Sequence, residues 1–168
     1  ARFASQSWKA RAGPGARVIP LRVHTSVVVF DTKRLARAIT DAADGRLGGR
    51  VDAISIAMGG PPSLTLRKAV RRAERQGVPI IAAAGNYVQT VVWPARFDQA
   101  IAVSAINPRC VPWKHASHGR AVDISAPGEG VWRATFDAQD VYDIGMGAGT
   151  TFATGTTARS RRTWSQIS

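Results

Sequence analysis

A single cysteine, Cys110, occurs among the 168 residues, so no internal disulfide can brace the chain, and cysteine usage leaves the redox compartment open. A lone thiol of this kind is expected to be structural. Aromatic residues make up only 7% of the chain. Long apolar runs are missing altogether: no stretch approaches the ~18 consecutive apolar residues of a membrane-crossing helix, and the basic start lacks the apolar middle of a secretion signal. The sequence as written reads as soluble, with no membrane partner and no targeting segment, although preceding sequence could carry one.

Acidic residues are scarce too, 11 against 23 lysines and arginines, for a formal net charge of +12. Such an excess suits a nucleic-acid partner when the cations gather on one surface, because each phosphate contact releases counterions. Here they are dispersed. The densest group, Arg67, Lys68, Arg71, Arg72 and Arg75, is interleaved with Leu66, Ala69, Val70 and Ala73 at helical spacing, as in a helix with one solvated and one buried face. The distribution argues against a specific nucleic-acid site and leaves weak attraction to polyanions.

What is present is 45% hydrophobic residues, enough for one domain with a core of its own. Arg17–Val23 reads as a short strand. Asp31 or Thr32 then caps a helix carrying Leu35, Ala36, Ile39, Ala42 and Ala43, closed by Gly45. Val51–Met58 is a second apolar run, Ser63 caps a second helix that Gly77 closes, and Val78–Ala84 is a third strand. Ala100–Ala105 and Ala121–Ser125 add two more. Strand and helix alternate as in an α/β fold with a mostly parallel sheet. The expected layout is an irregular segment over residues 1–14, one domain over 15–158, and a basic tail without regular structure over 159–168.

Five segments carry candidate chemistry. Ile81–Asn86 is an apolar strand running into Ala84-Gly85-Asn86; a buried strand ending in a Gly-Asn turn would account for the same letters. Val51–Gly60 ends in Met58-Gly59-Gly60, which a core strand and its turn would equally explain. Trp93-Pro94-Ala95 follows, then Ala116-Ser117 with Val122–Gly128, and last Gly149-Thr150-Thr151-Phe152-Ala153-Thr154. In this order, from about Gly15 to Ala158, the segments resemble the subtilisin-like serine peptidases, in which the last motif normally reads Gly-Thr-Ser. Gly155 stands where the family places proline.

That resemblance implies a three-layer subtilisin-like α/β fold, here incomplete on its N-terminal side and at its C-terminal helix. It implies peptide-bond hydrolysis through an acyl-enzyme, with peptide or protein substrates. Asn86 would donate its amide to the oxyanion, and Thr151 would occupy the nucleophile position. Ala57, Met58 and Gly59 would offer backbone groups to an extended peptide, with Ala83, Ala84 and Gly85 leaving room for a substrate side chain. The Trp93–Pro94 bond would be cis. No cofactor is implied beyond a weak calcium site at Asp123, and one carboxylate does not specify a cation that takes 6–8 oxygens.

The family's Asp-Thr/Ser-Gly and His-Gly-Thr motifs are absent, and His24, His115 and His118 are the only histidines. An internal threonine has no terminal amine to act as its own base. The expectation is therefore a truncated, catalytically impaired peptidase that needs a missing N-terminal fragment. The alternative is a pseudoenzyme that holds a peptide without cutting it. Family members are commonly secreted, but no signal peptide stands in these residues.

Overall fold

The computed structural model describes residues 16–129, together with the backbone strands Val131–Phe136, Tyr142–Gly147 and Thr157–Ala158. Two amphipathic helices, α1 (Lys33–Ala43) and α2 (Leu64–Arg75), pack on each other and against a sheet of four parallel strands. These are β1 (Ile54–Ile56), β2 (Ile80–Ala83), β3 (Ala100–Ile106) and β4 (Ile124–Pro127), adjacent in chain order. The architecture is the α/β one that the alternation of elements predicts. A separate antiparallel sheet of β5 (Val131–Phe136), β6 (Tyr142–Gly147) and β7 (Thr157–Ala158) was not foreseen.

Both helices bury the residues that helical spacing selects: Leu35, Ala36, Ile39, Ala42 and Ala43 on α1, and Leu66, Ala69, Val70 and Ala73 on α2. They meet the sheet through Ile56, Ile80, Ala82 and Ala102 in one apolar cluster. On the opposite face of α2, Arg67, Lys68, Arg71 and Arg75 stand in solvent, which is the solvated face expected of them. The helix starts are tied together. Ser63 caps α2 by accepting from the Leu66 N–H at 3.1 Å, and its hydroxyl also meets Thr32 Oγ1 at 2.6 Å. Thr32 stands at the N-cap of α1 without a side-chain capping bond of its own; Asp31 Oδ1 instead takes the Lys33 N–H at 3.0 Å. Gly45 and Gly77, at φ +72° and +68°, let the chain turn out of each helix.

Strand pairing departs from expectation at the start. Arg17–Val23 forms no strand: Pro20 has no N–H to give a ladder, and Val18 and Leu21 remain exposed. Pairing begins further on, where the Val29 N–H donates to Gly59 O at 2.9 Å and the Gly59 N–H to Val27 O at 3.0 Å. Cys110 is exposed, at φ +59° in the turn after β3, so it fills no core position.

A partly exposed ion pair joins the end of α1 to α2. Asp44 Oδ1 accepts from Arg72 Nε at 2.5 Å, and Arg46 Nη2 lies 3.0 Å from Asp44 Oδ2. The Arg72 hydrogen bond, opposed by desolvation and helped by the charges of Arg72 and Arg46, holds the Asp44 carboxyl below the usual aspartate range. A carboxyl depressed in the folded state stabilises above its unfolded pKa, and that contribution disappears as pH falls through the folded value. Asp44→Asn is thus expected to lower the urea midpoint at neutral pH and to match the parent in strong acid. An equal deficit at both pH values would show that the pair adds no charge-dependent stability.

Candidate active site

In an open parallel sheet the chain leaves every strand at the same edge, and the crevice outside the carboxyl ends collects the loops. Because β1 and β2 are neighbours in register, their exits at 57–60 and 84–86 lie side by side. These exits, with Ala83 at the end of β2, contain all the sequence-predicted site residues except Thr151, which lies outside the described residues.

The β2 exit is fastened from three directions. The Ala84 N–H donates to Val103 O at 2.9 Å, continuing the β2–β3 ladder, while Ala84 O accepts from the Val92 N–H at 2.9 Å. Gly85 O accepts from the Ser117 N–H at 2.9 Å, Asn86 forms a β-bridge with Ala116, and the Tyr87 N–H donates to His115 O at 2.7 Å. Gly85 sits at φ +114°, where an L side chain is strained. Tyr87 follows at φ +63°, its ring 4.8 Å from the His115 ring and 5.8 Å from that of the buried Trp113.

Ser117 is the central fastener. Fully buried, it donates from Oγ to Val88 O at 2.7 Å, and its carbonyl accepts from Ser104 Oγ at 2.7 Å. With its N–H on Gly85, every polar group of this residue is engaged, and the turn that presents Asn86 is fixed to β3. The sequence marks Ala116-Ser117 as one of the matched segments without connecting it to Asn86; a serine between two histidines offers no local sign of that contact.

The β1 exit differs from expectation in its detail. Gly59 does not leave open space for a peptide, because its N–H and C=O already bond Val27 and Val29. Gly60 exchanges both backbone hydrogen bonds with Trp93, at 2.9 and 3.2 Å. A methyl built on Gly60 would lie 1.9 Å from Val29 O, and one on Gly59 2.3 Å from Val92 Cγ2. Glycine at these positions lets three segments approach. Ala57 and Met58 are half-buried beside them, and Ala83 and Ala84 are buried.

The Trp93–Pro94 bond is cis, as the resemblance implies. Asp123 accepts the Ala102 N–H on Oδ2 at 2.7 Å and returns its own N–H to Ala102 O at 3.0 Å, so it fastens the start of β4 to β3. Among the described residues no group of three or more His, Cys, Asp or Glu side chains gathers as a metal site would require, and no helix is long and apolar enough to cross a membrane. His24 accepts from the Ser26 N–H on Nδ1 at 3.0 Å, His115 stacks in the aromatic group, and His118 Nδ1 lies 3.5 Å from Ala116 O. Among the described residues no histidine pairs with a carboxylate. A cavity of about 440 Å³ opens between the start of α2 and Trp93–Gln99, and none of the predicted site residues lines it.

A strand exit ending in Gly85-Asn86, a second ending in Gly59-Gly60 and a cis Trp93–Pro94 bond between them form one constellation, and the subtilase family model matches it across residues 6–163. The chain belongs to the subtilase family. Subtilisin DY of Bacillus licheniformis is 32% identical over 101 residues, covering 56% of this chain and 37% of that protein. Subtilisin E of Bacillus subtilis (strain 168) is 32% identical over 96 residues, covering 54% of this chain and 25% of its own length. Subtilisin BL of Lederbergia lenta reaches 37% over 79 residues, covering 46% and 29%. The matched part thus spans about a quarter to two fifths of these relatives. Among solved structures, the prenylagaramide maturation protease PagA superposes with a TM-score of 0.60 at 26% identity, covering 70% of this chain and 44% of PagA. The subtilase fold places Asn86 and Gly59 on neighbouring strand exits of one peptidase domain.

Proposed function

We propose that the exits of β1 and β2 form part of the peptide cleft of a subtilisin-like serine endopeptidase, with Asn86 as oxyanion donor and Thr151 at the nucleophile position. The observation that carries this reading is the rigid seating of Gly85-Asn86: the turn is bonded to Ala116 and Ser117, and Ser117 is bonded to β3. An oxyanion donor must be held in place before charge develops, since reorganising it during the reaction would forfeit the gain. An extended peptide would lie along 57–59, its backbone replacing that of Val27–Val29 at Gly59.

Catalysis is a separate matter from the cleft. Residues 1–168 hold no match to the family's aspartate and histidine motifs, so a polypeptide of these residues alone has no base to take the Thr151 proton. It would bind peptide and turn it over at no more than the roughly 10³–10⁴-fold over water that oxyanion hole and binding supply without a triad. A fragment carrying the two motifs is the partner that would complete it. The test is a chromogenic peptide assay on the chain and on Thr151→Ala. Equal rates in both are expected; a parent at least tenfold faster than the variant would mean that Thr151 attacks with some other base and would overturn the impaired reading. Peptide binding without turnover would separate the pseudoenzyme role from a peptidase awaiting its partner only if adding that fragment restored no hydrolysis.

A further inference from the structure

We propose that the open cavity between the start of α2 and Trp93–Gln99 is a second binding site, separate from the cleft, for an acidic peptide segment that also carries a bulky apolar residue. At about 440 Å³ it has the size of an ordinary ligand site. Its lining divides into two parts. Leu64, Trp93 and Phe97 supply an apolar wall, the Trp93 and Phe97 rings meeting edge to face with centroids 6.5 Å apart. Leu64 is 76% exposed at the first position of α2, so it adds nothing to the core and leaves a large apolar side chain at the mouth of the cavity.

Arg67 and Arg96 supply the charge. Neither forms an ion pair among the described residues, although Asp98 lines the same cavity. Arg96 is held in place: its guanidinium carbon lies 5.2 Å from the centroid of the Trp93 ring, and its Nη1 donates to Thr90 Oγ1. One edge of the guanidinium is thereby fixed, and its remaining donors are positioned to meet a carboxylate. A neutral apolar guest would leave both cations without a counter-charge, and a phosphate backbone would leave the apolar wall unused. A segment bearing a carboxylate beside a large apolar side chain satisfies both parts, and the formal net charge of +12 draws acidic chains toward the surface. Because Trp93 also exchanges backbone hydrogen bonds with Gly60, the cavity adjoins the wall of the cleft.

The test is fluorescence anisotropy on the full chain with a labelled hexapeptide of alternating glutamate and leucine, compared with versions carrying glutamine for glutamate or alanine for leucine. The glutamate–leucine peptide is expected to bind tightest. Arg67→Gln and Arg96→Gln should each weaken it about two- to fivefold, the size of effect of an ion pair open to solvent, and Asp98→Asn should strengthen it by a similar factor. Thr90→Val, which releases Arg96 but keeps its charge, should fall between the parent and Arg96→Gln. Leu64→Ser should weaken the glutamate–leucine peptide and spare the glutamate–alanine one. All five side chains are exposed, so the fold should tolerate each change. Arg71→Gln is the control, since Arg71 is an exposed cation of α2 that does not line the cavity. A loss from Arg71→Gln equal to those from the two cavity arginines would reduce the binding to diffuse attraction and overturn the proposal. A glutamine peptide bound as tightly as the glutamate one, or a parent that binds none of them, would overturn it too.

Discussion

Gly60→Ala is expected to destabilise the chain by about 3 kcal/mol or more, at the upper end of what forced overpacking costs. The added methyl would lie 1.9 Å from Val29 O and 2.9 Å from Val29 C, and both are backbone atoms with no rotamer to yield. Moving them means parting Val29 from Gly59, and Gly60 from Trp93, so one carbon opens the junction of three segments. For a chain of this size the loss should appear as a fall of roughly 6–12 °C in the unfolding midpoint. Gly48→Ala is the control. Gly48 sits at φ +88° with nothing within 4 Å of a built Cβ, so alanine there pays for its backbone conformation alone, about 1 kcal/mol. Equal midpoints for the two variants would mean that Val27–Val29 does not lie against the β1 exit.

The contrast between these glycines shows what a sequence can and cannot disclose. Gly45 and Gly77 were legible because a helix announces its end locally: an apolar period stops and a glycine follows. The two helices, the parallel strands and the cis bond at Pro94 were legible for similar reasons, by period or by motif. The reason for glycine at 59 and 60 was not, since it lies in Val29, Val92 and Trp93, some thirty residues away in either direction. Ser117 and Val92 escaped in the same way. Each looks ordinary in its own window and acquires its place only where the folded chain lays it against Gly85. Arg17–Val23 misled for the opposite reason: its letters are strand-like, but strand formation needs a partner edge, and the partner of the β1 exit is Val27–Val29 instead. The two strand exits were thus legible as segments, and their dimensions were not.

Asn86 is where those dimensions should have the largest catalytic consequence. In a chimera that joins this chain to the upstream part of a curated subtilisin, with Thr151→Ser, the aspartate, histidine and serine are all supplied, and the proposed oxyanion role of Asn86 can be tested on its own. Asn86→Ala in that chimera is expected to lower kcat by about 10²–10³-fold, the size of effect known for the equivalent asparagine of subtilisin itself. KM should change little, because in the proposed role the amide would meet the oxyanion of the tetrahedral intermediate more closely than the ground-state carbonyl, and losing an interaction confined to the transition state lowers kcat and kcat/KM together. Ser117→Ala provides the companion measurement. It removes the Oγ bond to Val88 O while leaving Asn86 in place, so a smaller loss of kcat is expected, from a turn less firmly held. A fall of less than tenfold for Asn86→Ala would deny the amide an oxyanion role. A rise in KM with kcat unchanged would instead make Asn86 a residue that grips the peptide before the chemistry begins.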